Sequence, residues 1–194
     1  MGATARRTLA GGVFTLALAL TGCGGGHREV TTIDVLRRTP TAEAPARTTA
    51  PPAGARAAHE TAALTAYRAM WVERRKAYGK ADAKGTGLAK YATDGALSRF
   101  RQDLADLRRE HTVVRGEVGH DAKVALFDEH GTSPAVTVED CVDLSKWQTL
   151  SRQTSRPVPS PSGQLRRYRV TATVEERPSG WTVTDYVPHE TRAC

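Results

Sequence analysis

The sequence predicts an α+β domain in which N-terminal helices pack on a curved antiparallel sheet of four to five strands. Apolar residues between positions 57 and 110 recur at helical spacing. After His111 the period changes to two. The strands follow one another with no helix between them, an order that suits helices lying on one face of an antiparallel sheet.

Each element has its own signal. Leu64, Tyr67, Trp71 and Tyr78 fall at i, i+3, i+7 and i+14 and share one helical face. Gly79 and the Gly85-Thr86-Gly87 run break that helix, and a short helical turn is expected from Leu88 to Tyr91. Asp94 stands where an N-cap would. It is followed by Leu97, Phe100, Leu104 and Leu107 on one stripe with charged residues between them. Residues 113–118 and 123–127 are expected as paired strands joined around Gly119-His120-Asp121. Residues 135–144, 165–175 and 181–187 complete the sheet. Pro178-Ser179-Gly180 turns the last two into a hairpin, and the proline-rich stretch 155–163 is a loop.

The chain has 194 residues, and its start is of a different kind. Arg6-Arg7 precedes an apolar run from Val13 to Leu20, which ends in Leu20-Thr21-Gly22-Cys23. The run is shorter than the ~20 apolar residues a membrane span needs. A basic segment, an apolar segment and small residues describe a signal peptide. The last four residues resemble a bacterial lipobox. That resemblance implies that residues 1–22 are removed and that Cys23 carries a lipid, on the outer side of the cell membrane. Residues 23–56 are then a tether rich in Thr, Ala and Pro, with Pro40, Pro45, Pro51 and Pro52, and residues 57–194 are the folded domain.

The formal charge is +7, and Arg6 and Arg7 are the only charges before Cys23, which leaves +5 for the remainder. A modest basic excess suits anionic lipid or an anionic wall polymer. The cations are scattered among acids, so nucleic acid is not expected as a partner. Arg74-Arg75-Lys76 and Arg108-Arg109 on helices, and Arg166, Arg167 and Arg169 on a strand, are expected as solvated faces. With Cys23 lipidated, Cys141 and Cys194 remain in an oxidising compartment, and a disulfide between them is expected. A metal pair or a catalytic thiol would need matched histidines, which the spacing lacks.

A long first helix bearing Tyr67 and Trp71, a helical turn, a second long helix and a meander are similar to the nuclear transport factor 2-like (cystatin-like) fold. Asp140-Cys141-Val142-Asp143, Gly180-Trp181 and Cys194 look like features of small secreted actinobacterial lipoproteins of that type. The resemblance implies a cone-shaped cavity between sheet and helices. Asp140 shares a face with Val136, Val138, Val142 and Leu144, and Asp185 lies between Val183 and Val187. A carboxylate in an apolar pocket has a raised pKa and can act as a general acid or base. A bulge or a one-residue slip would instead put either one in water. Tyr67, Trp71, Tyr91, Trp147 and Trp181 are core or pocket wall.

No histidine stands at a spacing that completes a dyad with either aspartate. The six histidines show no metal-ligand spacing, so no metal and no cofactor are expected. His120 in particular is expected as a solvated turn residue. There is no nucleotide fingerprint and no serine elbow. Three readings follow. The first is a non-catalytic surface domain binding a small apolar ligand or an envelope protein. The second is an enzyme using Asp140 or Asp185 on a hydrophobic substrate. The third is a structural accessory subunit of an envelope complex.

Overall fold

The computed structural model describes residues 53–129, 131–160 and 162–194. Cys23, the expected signal segment and most of the expected tether lie outside the described residues. The order is helices then strands: α1 (Ala53–Tyr78), α2 (Leu88–Tyr91), α3 (Asp94–Arg109), β1 (Thr112–Gly116), β2 (Lys123–Asp128), β3 (Ala135–Asp143), β4 (Trp147–Ser151), β5 (Arg167–Arg177) and β6 (Gly180–His189). All strand pairs are antiparallel. The described domain is therefore mixed helix and antiparallel sheet, as the change of period predicts.

Helix α1 begins ahead of residue 57 and buries one continuous stripe. Ala63, Ala66, Tyr67, Met70, Trp71, Arg74, Ala77 and Tyr78 are all buried, and they follow the i, i+3, i+4, i+7 rule. The chain turns at Gly79, whose N–H reaches the Arg75 carbonyl at 3.0 Å. Asp94 does not cap α3. The cap position is Thr93, which makes no side-chain cap bond. Asp94 adopts a φ of 46° and pairs with Arg177 at 2.9 Å instead. The start of α3 is held by the backbone: the Thr93 N–H donates to the Val183 carbonyl of β6 at 2.9 Å.

The strands form two sheets. The larger runs β2-β3-β5-β6 and the smaller is β1-β4. This corrects two expectations. The first predicted strand does not form a hairpin with the second. It pairs with β4, from Thr112 opposite Ser151 to Gly116 opposite Trp147. Strand β4 itself was not foreseen, because Trp147–Ser151 has little apolar alternation. Gly116 makes the pairing possible: at φ +114° a Cβ there would sit 1.8 Å from the Lys146 carbonyl oxygen. Gly119-His120-Asp121 is thus a crossing segment between sheets rather than a hairpin turn. It is tied to the end of β3 by reciprocal bonds of 2.9 Å between Gly119 and Asp143.

Inward residues of the large sheet are Val136, Val138, Asp140 and Val142 on β3 and Tyr168, Val170, Ala172 and Val174 on β5, as the alternation predicts. Strand β6 departs from its predicted phase. Its register shifts opposite Thr173/Val174, so Val174 faces Val183 while Thr173 faces Asp185. A bulge moves every later side chain to the other face. Tyr186 is buried, whereas Asp185 and Val187 are exposed. The sulfurs of Cys141 and Cys194 lie at bonding distance, 2.08 Å, and fasten the C-terminal residues to β3. Closing a loop of this length restricts the unfolded chain by about 4 kcal/mol in the loop-entropy account.

Glu73 secures the turn between α1 and α2. Its carboxylate accepts the Gly87 N–H at 2.6 Å and binds the Lys76 ammonium at 2.6 Å. The Lys76 bond, then the Gly87 bond, hold its pKa below the ordinary value. A depressed folded pKa gives stability that is present above the unfolded carboxylate range of about 4.3 and is lost as pH falls through the folded value. Glu73→Gln mimics the protonated state. It is expected to cost about 1 kcal/mol at neutral pH, with the gap from the native chain closing as pH falls through the depressed folded value. Urea unfolding of both chains across this range checks it, and a pH-independent gap would contradict it.

Candidate functional site

The expected cone is occupied by the protein's own side chains. Tyr67, Met70, Phe100, Val136, Val138, Val174 and Val183 have no surface exposed to solvent or to an internal space. The centre of this packing is a cation. The Arg74 guanidinium lies 4.5 Å from the ring centroids of both Trp71 and Phe100, 4.8 Å from Tyr78 and 5.0 Å from Tyr186. Its Nη2 reaches Asp103 at 3.5 Å, and the Tyr78 hydroxyl also donates to Asp103. Its Nε and Nη1 have no hydrogen-bond partner among the described residues, so ring faces take the place of acceptors. A desolvated cation–π contact is worth ~2 kcal/mol. Burial alone would lower the Arg74 pKa; the facing Tyr78, Tyr186 and Asp103 groups outweigh it and hold the side chain charged. Arg74 was expected on a solvated face. It belongs to the buried stripe because it follows Trp71 by three residues and Tyr67 by seven.

The second buried charge is Asp140, whose side chain is 0 % exposed. Three donors meet it. The Tyr67 hydroxyl donates to Oδ2 at 2.9 Å, His120 Nδ1 lies 2.6 Å from the same oxygen, and the Asp121 N–H donates to Oδ1 at 2.8 Å. Burial, followed by the Tyr186 and Asp140 groups, pushes the Tyr67 pKa well above its ordinary value, so its hydroxyl remains a donor. His120 packs on Trp71 with ring centroids 4.9 Å apart. Its side chain is 25 % exposed and borders a recess of about 200 Å³ with Arg68, Trp71, Val72, Arg75 and Val118.

The geometry therefore supplies a histidine–aspartate pair that the sequence spacing did not reveal. Asp140 orients one ring nitrogen and the other is left for a partner, the arrangement of a positioned base. The same bonds also staple three elements together: α1 through Tyr67, β3 through Asp140 and the crossing segment through His120. Nothing local in the sequence marks His120, since its partner lies twenty residues on and is reached because the segment from Gly119 to Lys123 runs antiparallel along β3.

The remaining expected pocket residues are dispersed. Tyr91 is half-buried at the end of α2, with the Lys90 ammonium 5.2 Å from its ring. Trp181 is half-buried beside His59 of α1, at 5.7 Å between rings. Asp185 corrects the expectation that it lines an apolar cavity: the β6 bulge turns it outward, where its Oδ1 accepts the Tyr186 N–H at 2.9 Å. Of the six expected pocket residues, Tyr67, Trp71 and Asp140 are brought together.

No family model matches the chain, and no curated protein matches it. Among solved structures it is similar to the intermembrane space region of the chloroplast protein ARC6, at 15 % identity and a TM-score of 0.46, over 66 % of this chain and 95 % of that one. It is also similar to an NTF2-like protein of unknown function from Shewanella baltica, at 15 % identity and a TM-score of 0.29, over 65 % of this chain and 94 % of that one.

Replacing Arg74 tests the packing account. Arg74→Ala empties the aromatic box and leaves Asp103 without its cation, with an expected loss of about 3 kcal/mol or more in denaturant unfolding. Arg74→Met keeps most of the volume and is expected to lose distinctly less. Equal losses for the two would mean that charge, not filled volume, holds the interior.

Proposed function

We propose that this is a nuclear transport factor 2-like domain displayed on the outer face of a bacterial membrane by a lipid on Cys23, and that it acts by non-catalytic binding to an envelope partner. One observation carries the choice of a surface interaction over an interior one. The space that would hold a small apolar ligand is filled by Arg74 and its aromatic box, and the flanking residues have no exposed surface. A ligand cannot enter without displacing a buried cation and several aromatic rings. The lipobox resemblance, the proline-rich tether and the two cysteines in bonding contact support a place outside the cytoplasm.

The anchoring is tested in a bacterium that carries the chain. Cys23→Ser is expected to release the protein from the membrane fraction and to abolish incorporation of labelled fatty acid. Unchanged membrane retention would overturn the anchor. For the binding mode, native mass spectrometry of the full chain purified from such cells is expected to show no co-purified apolar adduct. A retained adduct lost on denaturation would overturn the filled interior.

A second reading has a specific observation behind it: His120 and Asp140 at 2.6 Å beside an open recess. In this reading His120 accepts a proton from a bound substrate and Asp140 holds the ring. His120→Ala and Asp140→Asn would then both abolish turnover of a substrate found by screening, while circular dichroism stays native. Under the binding reading the two variants differ only in stability, Asp140→Asn losing ~1–3 kcal/mol through its buried donors.

A further inference from the structure

A cleft of about 560 Å³ lies on the outer face of the large sheet, opposite the helices, and is separate from the filled interior. Its floor is made by outward residues of three strands, Glu139 and Cys141 on β3, Arg169 and Thr171 on β5, and His189 on β6. Its wall is the segment Arg192–Cys194. That wall is built rather than loose. The Cys141–Cys194 disulfide fixes one end, and the Arg169 N–H donates to the Arg192 carbonyl at 3.0 Å. The Arg192 N–H in turn reaches the His189 carbonyl at 2.8 Å. The His189 ring is set by Thr171, with Nε2 2.9 Å from Oγ1.

The cleft holds both acids and cations, and the two kinds are unevenly paired. Lys123 binds Asp121 at 3.0 Å and stands directly across from Glu139 in the β2–β3 register. Lys123 is therefore engaged by Asp121. Arg169 and Arg192 also line the cleft, both are exposed, and among the described residues neither has an ion pair or side-chain hydrogen bond. Arginine is planar, permanently charged and forked, which fits it to a carboxylate or phosphate through paired N–H bonds.

We propose that this cleft binds a small oxyanion, a carboxylate or a phosphate group, with Arg169 and Arg192 as its anchors and the Cys141–Cys194 disulfide holding its wall. The site does not depend on the lipid anchor or on a protein partner. Reduction of the disulfide releases the Cys194 end of the wall and leaves Arg192 held by backbone bonds alone, so binding is coupled to the redox state of the compartment.

The test titrates the full chain with inorganic phosphate and, separately, with succinate, at constant ionic strength kept with chloride. Backbone amide shifts are followed by nuclear magnetic resonance. A saturable shift of the Thr171, Arg192 and Cys194 amides is expected with one anion or both, and which one saturates identifies the group. Arg169→Gln and Arg192→Gln are each expected to weaken binding about tenfold, while Arg101→Gln, on the exposed side of α3, leaves it unchanged. Cys141→Ser/Cys194→Ser, if its spectrum remains dispersed, is expected to bind more weakly. No saturable response up to tens of millimolar of either anion would overturn the site. Arginine variants that bind like the native chain would overturn the anchors. Unchanged affinity after reduction would overturn the role of the disulfide.

Discussion

The interior of this domain depends on one buried cation. Arg74 brings a full charge from α1 into the space between helices and sheet, and the fold is arranged to accept it. Trp71 and Tyr78 from the same helix, Phe100 from α3 and Tyr186 from β6 each present a ring to it. Asp103 supplies the countercharge at the edge. Tyr186 can take part because the β6 bulge carries it inward, and the same bulge turns Asp185 out. Packing, strand register and the loss of one expected pocket acid thus follow from a single arrangement. Its functional consequence is a solid core where a ligand cavity was expected.

A second buried charge organises the other end. Asp140 receives donors from α1 and from two residues of the crossing segment, His120 and Asp121. A carboxylate without exposure is tolerable only when hydrogen bonds replace its water. Tyr67 and His120 are therefore structural partners of Asp140 whatever further chemistry His120 performs. The two charged centres lie on opposite stretches of one stripe of α1, Tyr67 serving the acid and Arg74 the aromatic box. This explains how a helix with many charged residues still anchors the core.

The open surfaces of the domain lie elsewhere. The small sheet β1-β4, the recess beside His120 and the disulfide-bound cleft lie outside the packed interior. The cleft joins a fixed wall to two unpaired arginines, a combination the interior does not offer.

Much was legible in the sequence because it depended on local periodicity. The stripes of α1 and α3, the turn at α2 and the alternation of β3 and β5 follow from spacing alone, and they fixed the class of fold and the inward direction of Asp140. Arg74 was also within reach, since it lies on the same stripe as Tyr67 and Trp71; a charged triplet disguised it. Tertiary structure decided the rest. The pairing of β1 with β4 joins segments far apart in the chain and needs Gly116 to bring them together. The bonds of Gly119 and Asp121 to β3, again between distant segments, deliver His120 to Asp140. The β6 bulge reverses a phase that alternation cannot foresee. Periodicity states which residues share a face; contacts between distant segments determine which face is inside and what is left there to react.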